Sequence, residues 1–71
     1  MIPTNFIELT ELGSFATRKE AKKVKKNASE YKKYPELLSE YWDYTGDCRW
    51  HIVIDRWALV NYIIDKTAID N

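Results

Sequence analysis

Between Cys48 and Asp55 the side chains alternate in character. Cys48, Trp50, Ile52 and Ile54 share one parity, and Arg49, His51, Val53 and Asp55 share the other. A period of two sends successive side chains to opposite faces of an extended backbone, so this run predicts a strand. The period changes after Asp55, which is well suited to cap a helix. From Arg56 to about Lys66 the apolar residues Trp57, Leu59, Val60, Tyr62, Ile63 and Ile64 cover more than half of a helical circumference. Only Arg56, Asn61 and Asp65 interrupt them. A hairpin strand is the competing reading, but no Gly, Asn-Gly or Asp-Gly turn separates the two apolar runs. Residues Thr67 to Asn71 are expected to fray.

Upstream, Thr17-Arg18-Lys19-Glu20 has the form of a capping box, in which the Thr hydroxyl accepts from the Glu backbone N–H. A helix is predicted from Arg18 to Tyr31. Ala21, Val24, Ala28 and Tyr31 form a narrow apolar stripe, and six cations fan across the other side. Pro35 ends that helix and suits the first position of another. The apolar face of the second helix would be Leu37, Leu38, Tyr41, Trp42 and Tyr44. An acidic stripe of Glu36, Glu40, Asp43 and Asp47 would run beside it, with Gly46 as the left-handed cap. The first element, Phe6 to Leu12, reads two ways. Ile7 and Leu9 alternate as in a strand, whereas Asn5 with Glu8, and Gly13 after Leu12, could bracket a short helix. The strand is favoured because seven residues is short for a helix.

The expected fold is therefore a single α+β domain over residues 1–71. Its order is short strand, basic helix, Pro-started aromatic helix, strand and apolar C-terminal helix, with a minimal two-stranded sheet that dimerisation could extend.

Composition adds a constraint on stability. A chain of 71 residues has a marginal core, and such chains often need staples or a partner. Cys48 is the only cysteine and His51 the only histidine, so neither a disulfide nor a zinc site of four Cys or His ligands can form. Three Trp, five Tyr and two Phe supply bulk instead. The longest stretch without a charge, Trp57 to Ile64, is too short to span a bilayer. Met1-Ile2-Pro3-Thr4 lacks the character of a signal peptide. With a free thiol, these features lead us to expect a cytoplasmic protein.

Charge is balanced overall but segregated. Residues 1–17 carry a net −2, residues 18–33 a net +6 and residues 34–71 a net −4. The basic segment offers Arg18, Lys19, Lys22, Lys23, Lys25 and Lys26 to a phosphate backbone. It holds no Asn or Gln among the cations to read bases, and nucleic-acid modules are usually basic overall. The acidic stripe could dock a basic surface or imitate DNA phosphates. The favoured use is internal: neutralising the Lys-rich helix.

Candidate chemistry is sparse. Cys48 and His51 are the only nucleophile–base pair of the usual kind, and on one strand they would face opposite sides, Cys48 as a small core residue and His51 as an exposed strand residue. Glu36 and Glu40 could do acid–base work only inside a concave pocket, which a short chain has little volume to build. Gly13 and Gly46 are the only glycines, so no phosphate-cradling loop exists. The expected activity is binding and not catalysis, with no cofactor, metal or small-molecule substrate.

The aromatic excess points to the partner class. Tyr41, Trp42, Tyr44, Trp50, Trp57 and Tyr62 fall within 22 residues, and Trp and Tyr are enriched at interface hot spots. Trp57, Tyr62 and Trp42, with Tyr41 and Ile63, are the candidate anchors. The leading expectation is a small module that binds and modulates, or inhibits, another protein, of the kind a bacteriophage or mobile element often encodes. Self-association as a homodimer and nucleic-acid binding through the basic helix are the further expectations.

Overall fold

The computed structural model describes residues 1–28, 33 and 36–70, with side chains as far as Thr67. Tyr31 and Pro35, assigned above to the end of one helix and the start of the next, lie outside the described residues.

The architecture is α+β: an antiparallel sheet of four strands with two helices among the described residues. Its elements are β1 (Phe6–Glu8), β2 (Ser14–Phe15), α1 (Arg18–Asn27), β3 (Leu38–Trp42), β4 (Trp50–Asp55) and α2 (Arg56–Asp70). β4 is the central strand and pairs with all three others. β3 runs along one of its edges, from Leu38 opposite Ile54 to Trp42 opposite Trp50. β1 meets residues 53–55 and β2 meets residues 50–51. A strand has only two edges, so β1 and β2 share the second one end to end.

Between them the chain leaves the ladder. Leu9 N–H still donates to the Ile52 carbonyl at 2.9 Å, after which Thr10–Leu12 make one 3-10 turn. Gly13 closes the turn with φ of 86°, a left-handed backbone that favours glycine. Both readings of residues 6–12 thus hold in part, the strand for its first half and a helical turn ended by Gly13 for its second.

The alternation read from Trp50 to Asp55 sorts the sheet into two faces. Trp50, Ile52 and Ile54 look onto the core with Leu9 and Leu38, and Ala21, Val24 and Leu59 pack there from the two helices. His51, Val53 and Asp55 look the other way. Val53 is nonetheless fully buried. Phe6 and Tyr41 flank β4 on opposite edges, and their ring centroids lie 5.7 Å apart, so this pair straddles the strand over Val53.

Both helix starts follow their capping residues. Glu20 N–H donates to Thr17 Oγ1 at 3.2 Å. Trp57 and Ala58 N–H both donate to Asp55 Oδ1, at 2.9 and 3.1 Å. α2 continues to Asp70, beyond the expected end at Lys66.

Three expectations are overturned. Residues 38–42 form a strand, not part of a Pro-started helix, and the sheet accordingly has four strands where two were expected. Leu38, Glu40 and Trp42 alternate with Ser39 and Tyr41, and an aromatic-rich run of this kind suits a pleated surface. Five residues cannot separate a period of 2 from one of 3.6 when the polar residue on the inner face is itself buried by a partner. Gly46, with no helix to cap, lies in the β3–β4 turn, where an added Cβ would sit 2.3 Å from Asp43 Oδ2. The last strand begins at Trp50, so Cys48 belongs to the turn and not to a strand. Cys48 takes the left-handed conformation there, φ 57°, with its thiol exposed.

Candidate functional site

α2 presents two apolar faces, and only one is used by the fold. Leu59 reaches the core cluster, and Ala58 and Tyr62 on the same side are half-buried. Turned away from that side, Trp57 is 69% exposed, Ile64 57% and Val60 39%, while Ile63, one turn on from Leu59, is 52% exposed. At 100° per residue Trp57, Val60, Ile64 and Thr67 follow one another at intervals of three, four and three, which keeps them in one stripe. Ile63 borders it. The molecule measures 44 × 25 × 16 Å, and α2 alone is about 22 Å long at 1.5 Å per residue.

The five candidate anchors do not form one patch. Trp57 stands in the outer stripe of α2 and Ile63 borders it. Tyr62 lies on the helix flank, with the Lys66 ammonium 5.5 Å from its ring centroid. Trp42 stands at the far end of β4, where its ring lies 5.5 Å from that of Trp50. Tyr41 lies on the reverse face of the sheet against Phe6. Val60 and Ile64 belong to the exposed stripe but were not singled out. Their exposure depends on which side of an all-round apolar helix the sheet occupies, and no periodicity encodes that.

The six cations of α1 divide into two sets. Lys19, Lys22, Lys23 and Lys26 are exposed at i, i+3, i+4 and i+7, one outward face. Arg18 and Lys25, two turns apart, point instead to Glu40: Arg18 Nε lies 3.3 Å from one carboxylate oxygen and Lys25 Nζ 2.8 Å from the other. The Glu40 side chain is only 3% exposed and stands on the core face of β3. Burial alone would raise its pKa. The hydrogen bonds and charges of Lys25, and then of Arg18, outweigh burial and hold it below the ordinary carboxylate value. The internal use expected for the acidic stripe applies to this residue. Arg18 also lies over the Trp50 ring, 5.8 Å from its centroid.

Asp43 and Asp47 have a different destination. Asp43 continues β3 by one residue, its N–H donating to the Arg49 carbonyl at 3.0 Å. By alternation its side chain shares the reverse face of the sheet with His51. The turn then folds back so that Asp47 lies 2.8 Å from His51 Nε2. From the neighbouring edge the Glu8 carboxylate lies against His51 Nδ1, although Nδ1 has no aligned hydrogen-bond partner. Burial lowers the His51 pKa, but the hydrogen bond and charge of Asp47 and the charge of Glu8 more than reverse this and raise it above the ordinary value. The same contact with His51 lowers the pKa of Asp47. Beside them the Met1 ammonium meets Asp43 Oδ1 at 2.5 Å and Thr45 Oγ1 at 2.7 Å.

This arrangement corrects two assignments. His51 is buried between carboxylates and is not an exposed strand residue. Cys48 is exposed and not a core residue, with its thiol 3.8 Å from the Tyr44 carbonyl. The two residues do not sit on opposite faces of one strand, because only His51 is in the strand. His51 contacts Asp47 and Glu8, and the Cys48 thiol contacts the Tyr44 carbonyl.

Among the described residues no helix is long and apolar enough to cross a membrane. Comparison with known proteins finds no matching family model, no similar curated protein and no similar solved structure.

Proposed function

We propose that this chain is a small protein-interaction module that docks a partner protein, or a second copy of itself, on the outer stripe of α2 and so modulates that partner. The observation that carries this reading is the exposure of Trp57, Val60 and Ile64 along a stripe of α2 turned away from Leu59, with exposed Ile63 at its border. Solvating such a surface is costly, at roughly 25 cal/mol per Å² of apolar area. Aromatic and branched side chains at helical spacing are what a helix-in-groove or helix–helix contact uses. Inhibition of the partner by occupying its own docking site is the simplest mode of action for a chain this small.

The test is Trp57→Ala together with Ile64→Glu. Both side chains are mostly exposed, so the variant is expected to fold, as read by circular dichroism. Sedimentation and affinity capture from the native cell should both lose the complex seen with the unaltered chain. Retention of every complex by a folded double variant would contradict the reading.

A second reading is favoured by the outward face of Lys19, Lys22, Lys23 and Lys26, which could track a phosphate backbone. Arg18 and Lys25 are committed to Glu40, which leaves a smaller patch than the cation count suggests. Reversal of Lys22, Lys23 and Lys26 to Glu distinguishes the two. It should abolish binding to nucleic acid and leave association through α2 intact.

A further inference from the structure

We propose that Asp43, Asp47 and His51 form a binding site for a divalent transition-metal ion, with Zn2+ the best-matched probe. The three residues recur at intervals of four, Asp43-x3-Asp47-x3-His51, across the turn that joins β3 to β4. Pairing of the strands brings the first and last onto one face of the sheet, and the turn lays the middle one over them. Their donor atoms lie within 4.8 Å of one another. Tetrahedral Zn2+, with bonds of about 2.0–2.1 Å, needs donors about 3.4 Å apart. Asp47 already stands 2.8 Å from His51 Nε2 and is exposed, so its side chain can turn to admit the ion.

Three observations favour a metal over a simple ion-pair cluster. The His51 side chain is nine-tenths buried and its Nε2 lies 2.8 Å from Asp47, with an Asp43 oxygen in the same group of donors. Glu8 backs the other ring nitrogen. A carboxylate behind the distal nitrogen is the common outer partner of a metal-bound histidine, because it fixes the tautomer and turns the ligating nitrogen toward the ion. Charge gives the third. Glu8, Asp43 and Asp47 surround one imidazole, and Asp43, itself nine-tenths buried, takes the Met1 ammonium as its cation. The cluster accepts positive charge from whatever group can reach it.

Binding would place M2+ on the Nε2 lone pair of neutral His51 and on one oxygen of each aspartate. Any proton held on Nε2 would be released to solvent. Two carboxylates and a dication leave the set neutral, with the remaining coordination positions open to water. One nitrogen among few oxygens suits Zn2+ and its neighbours better than Ca2+, which takes six to eight oxygens, or Mg2+, which keeps a near-octahedral oxygen shell.

The test is calorimetric titration of the whole chain with Zn2+, followed in parallel by NMR of the His51 ring. One equivalent is expected to bind and to shift the His51 signals, while Mg2+ at the same concentration does neither. Asp47→Asn should lower Zn2+ affinity tenfold or more without changing the circular dichroism spectrum. Glu8→Gln, which keeps all three ligands, should weaken it by about 10–100-fold. Cys48→Ser should bind as the unaltered chain does. The proposal is overturned if no Zn2+ binds, if the His51 signals do not move, if Asp47→Asn binds normally, or if Cys48→Ser loses the ion. The last result would assign the metal to the exposed thiol.

Discussion

Lys25 reaches down from α1 to Glu40, a buried carboxylate on the inner face of β3, and meets it at 2.8 Å. One small residue, the fully buried Ala21, faces the sheet on the same helix. Small residues fix the distance between helix and sheet but say little about rotation. The charged contact, shared with Arg18 two turns earlier, supplies the rotational register.

Loss of one partner should therefore be costly. Lys25→Met leaves Glu40 buried with only the more exposed Arg18, and is expected to destabilise the chain by about 2–4 kcal/mol. Lys25→Met combined with Glu40→Leu should recover most of that loss, because no charge is left stranded. Urea unfolding of the two variants and Glu40→Leu measures the coupling.

The same pair predicts acid sensitivity. The folded-state pKa of Glu40 lies below its unfolded value, so its stabilising contribution is fully present above about pH 4.3, the usual Glu pKa. It is lost as pH falls through the folded-state pKa. Thermal unfolding from pH 6 to pH 3 should show a drop attributable to this residue, and Glu40→Gln should flatten that part of the profile.

Leu59 and Val60 are chain neighbours about 100° apart around α2, one packed on the core and the other in the exposed stripe. Leu59→Ala should cost about 1–3 kcal/mol, less than a fully buried leucine because Leu59 is only half-buried. Val60→Ala should change stability by no more than about 0.5 kcal/mol. Equal costs in denaturant titrations would mean that the sheet does not distinguish the two faces.

Gly46→Ala tests the β3–β4 turn. A methyl group there meets the Asp43 carboxylate, which is buried and cannot move without giving up its partners. A loss of about 1–2 kcal/mol is expected, by analogy with other overpacking substitutions. The His51 and Glu8 NMR signals should shift with it. An unperturbed spectrum would show that Asp43 yields freely.

Much of the fold is legible in the chain because local rules and global packing agree. Thr17 and Asp55 cap where their side-chain chemistry indicates, and the alternation from Trp50 to Asp55 is that of the central strand. Residues 38–42 are legible only with hindsight. Glu40 faces inward, and its burial depends on two cations from another element, so the hydrophobic pattern of β3 is masked by its own ion pair. The carboxylate–histidine cluster is hidden for a related reason. Counting only cysteines and histidines as metal ligands leaves out aspartates, and Asp43, Asp47 and His51 meet only once β3 and β4 are paired. The exposed stripe of α2 was half legible: the excess of apolar residues was plain, but not which of them the sheet would cover.

The break between β1 and β2 bears on how copies of this molecule can meet. A continuous outer strand offers a template on which another chain can add, a hazard that natural sheets blunt with interruptions. Here the edge is cut into runs of three and two residues by the turn at Thr10–Leu12. A foreign strand laid along it would find its hydrogen-bonding rhythm interrupted after a few rungs. On that side the interruption works against indiscriminate strand addition, and the surface proposed for docking lies instead on a helix, where side-chain shape and not backbone repetition would select the neighbour.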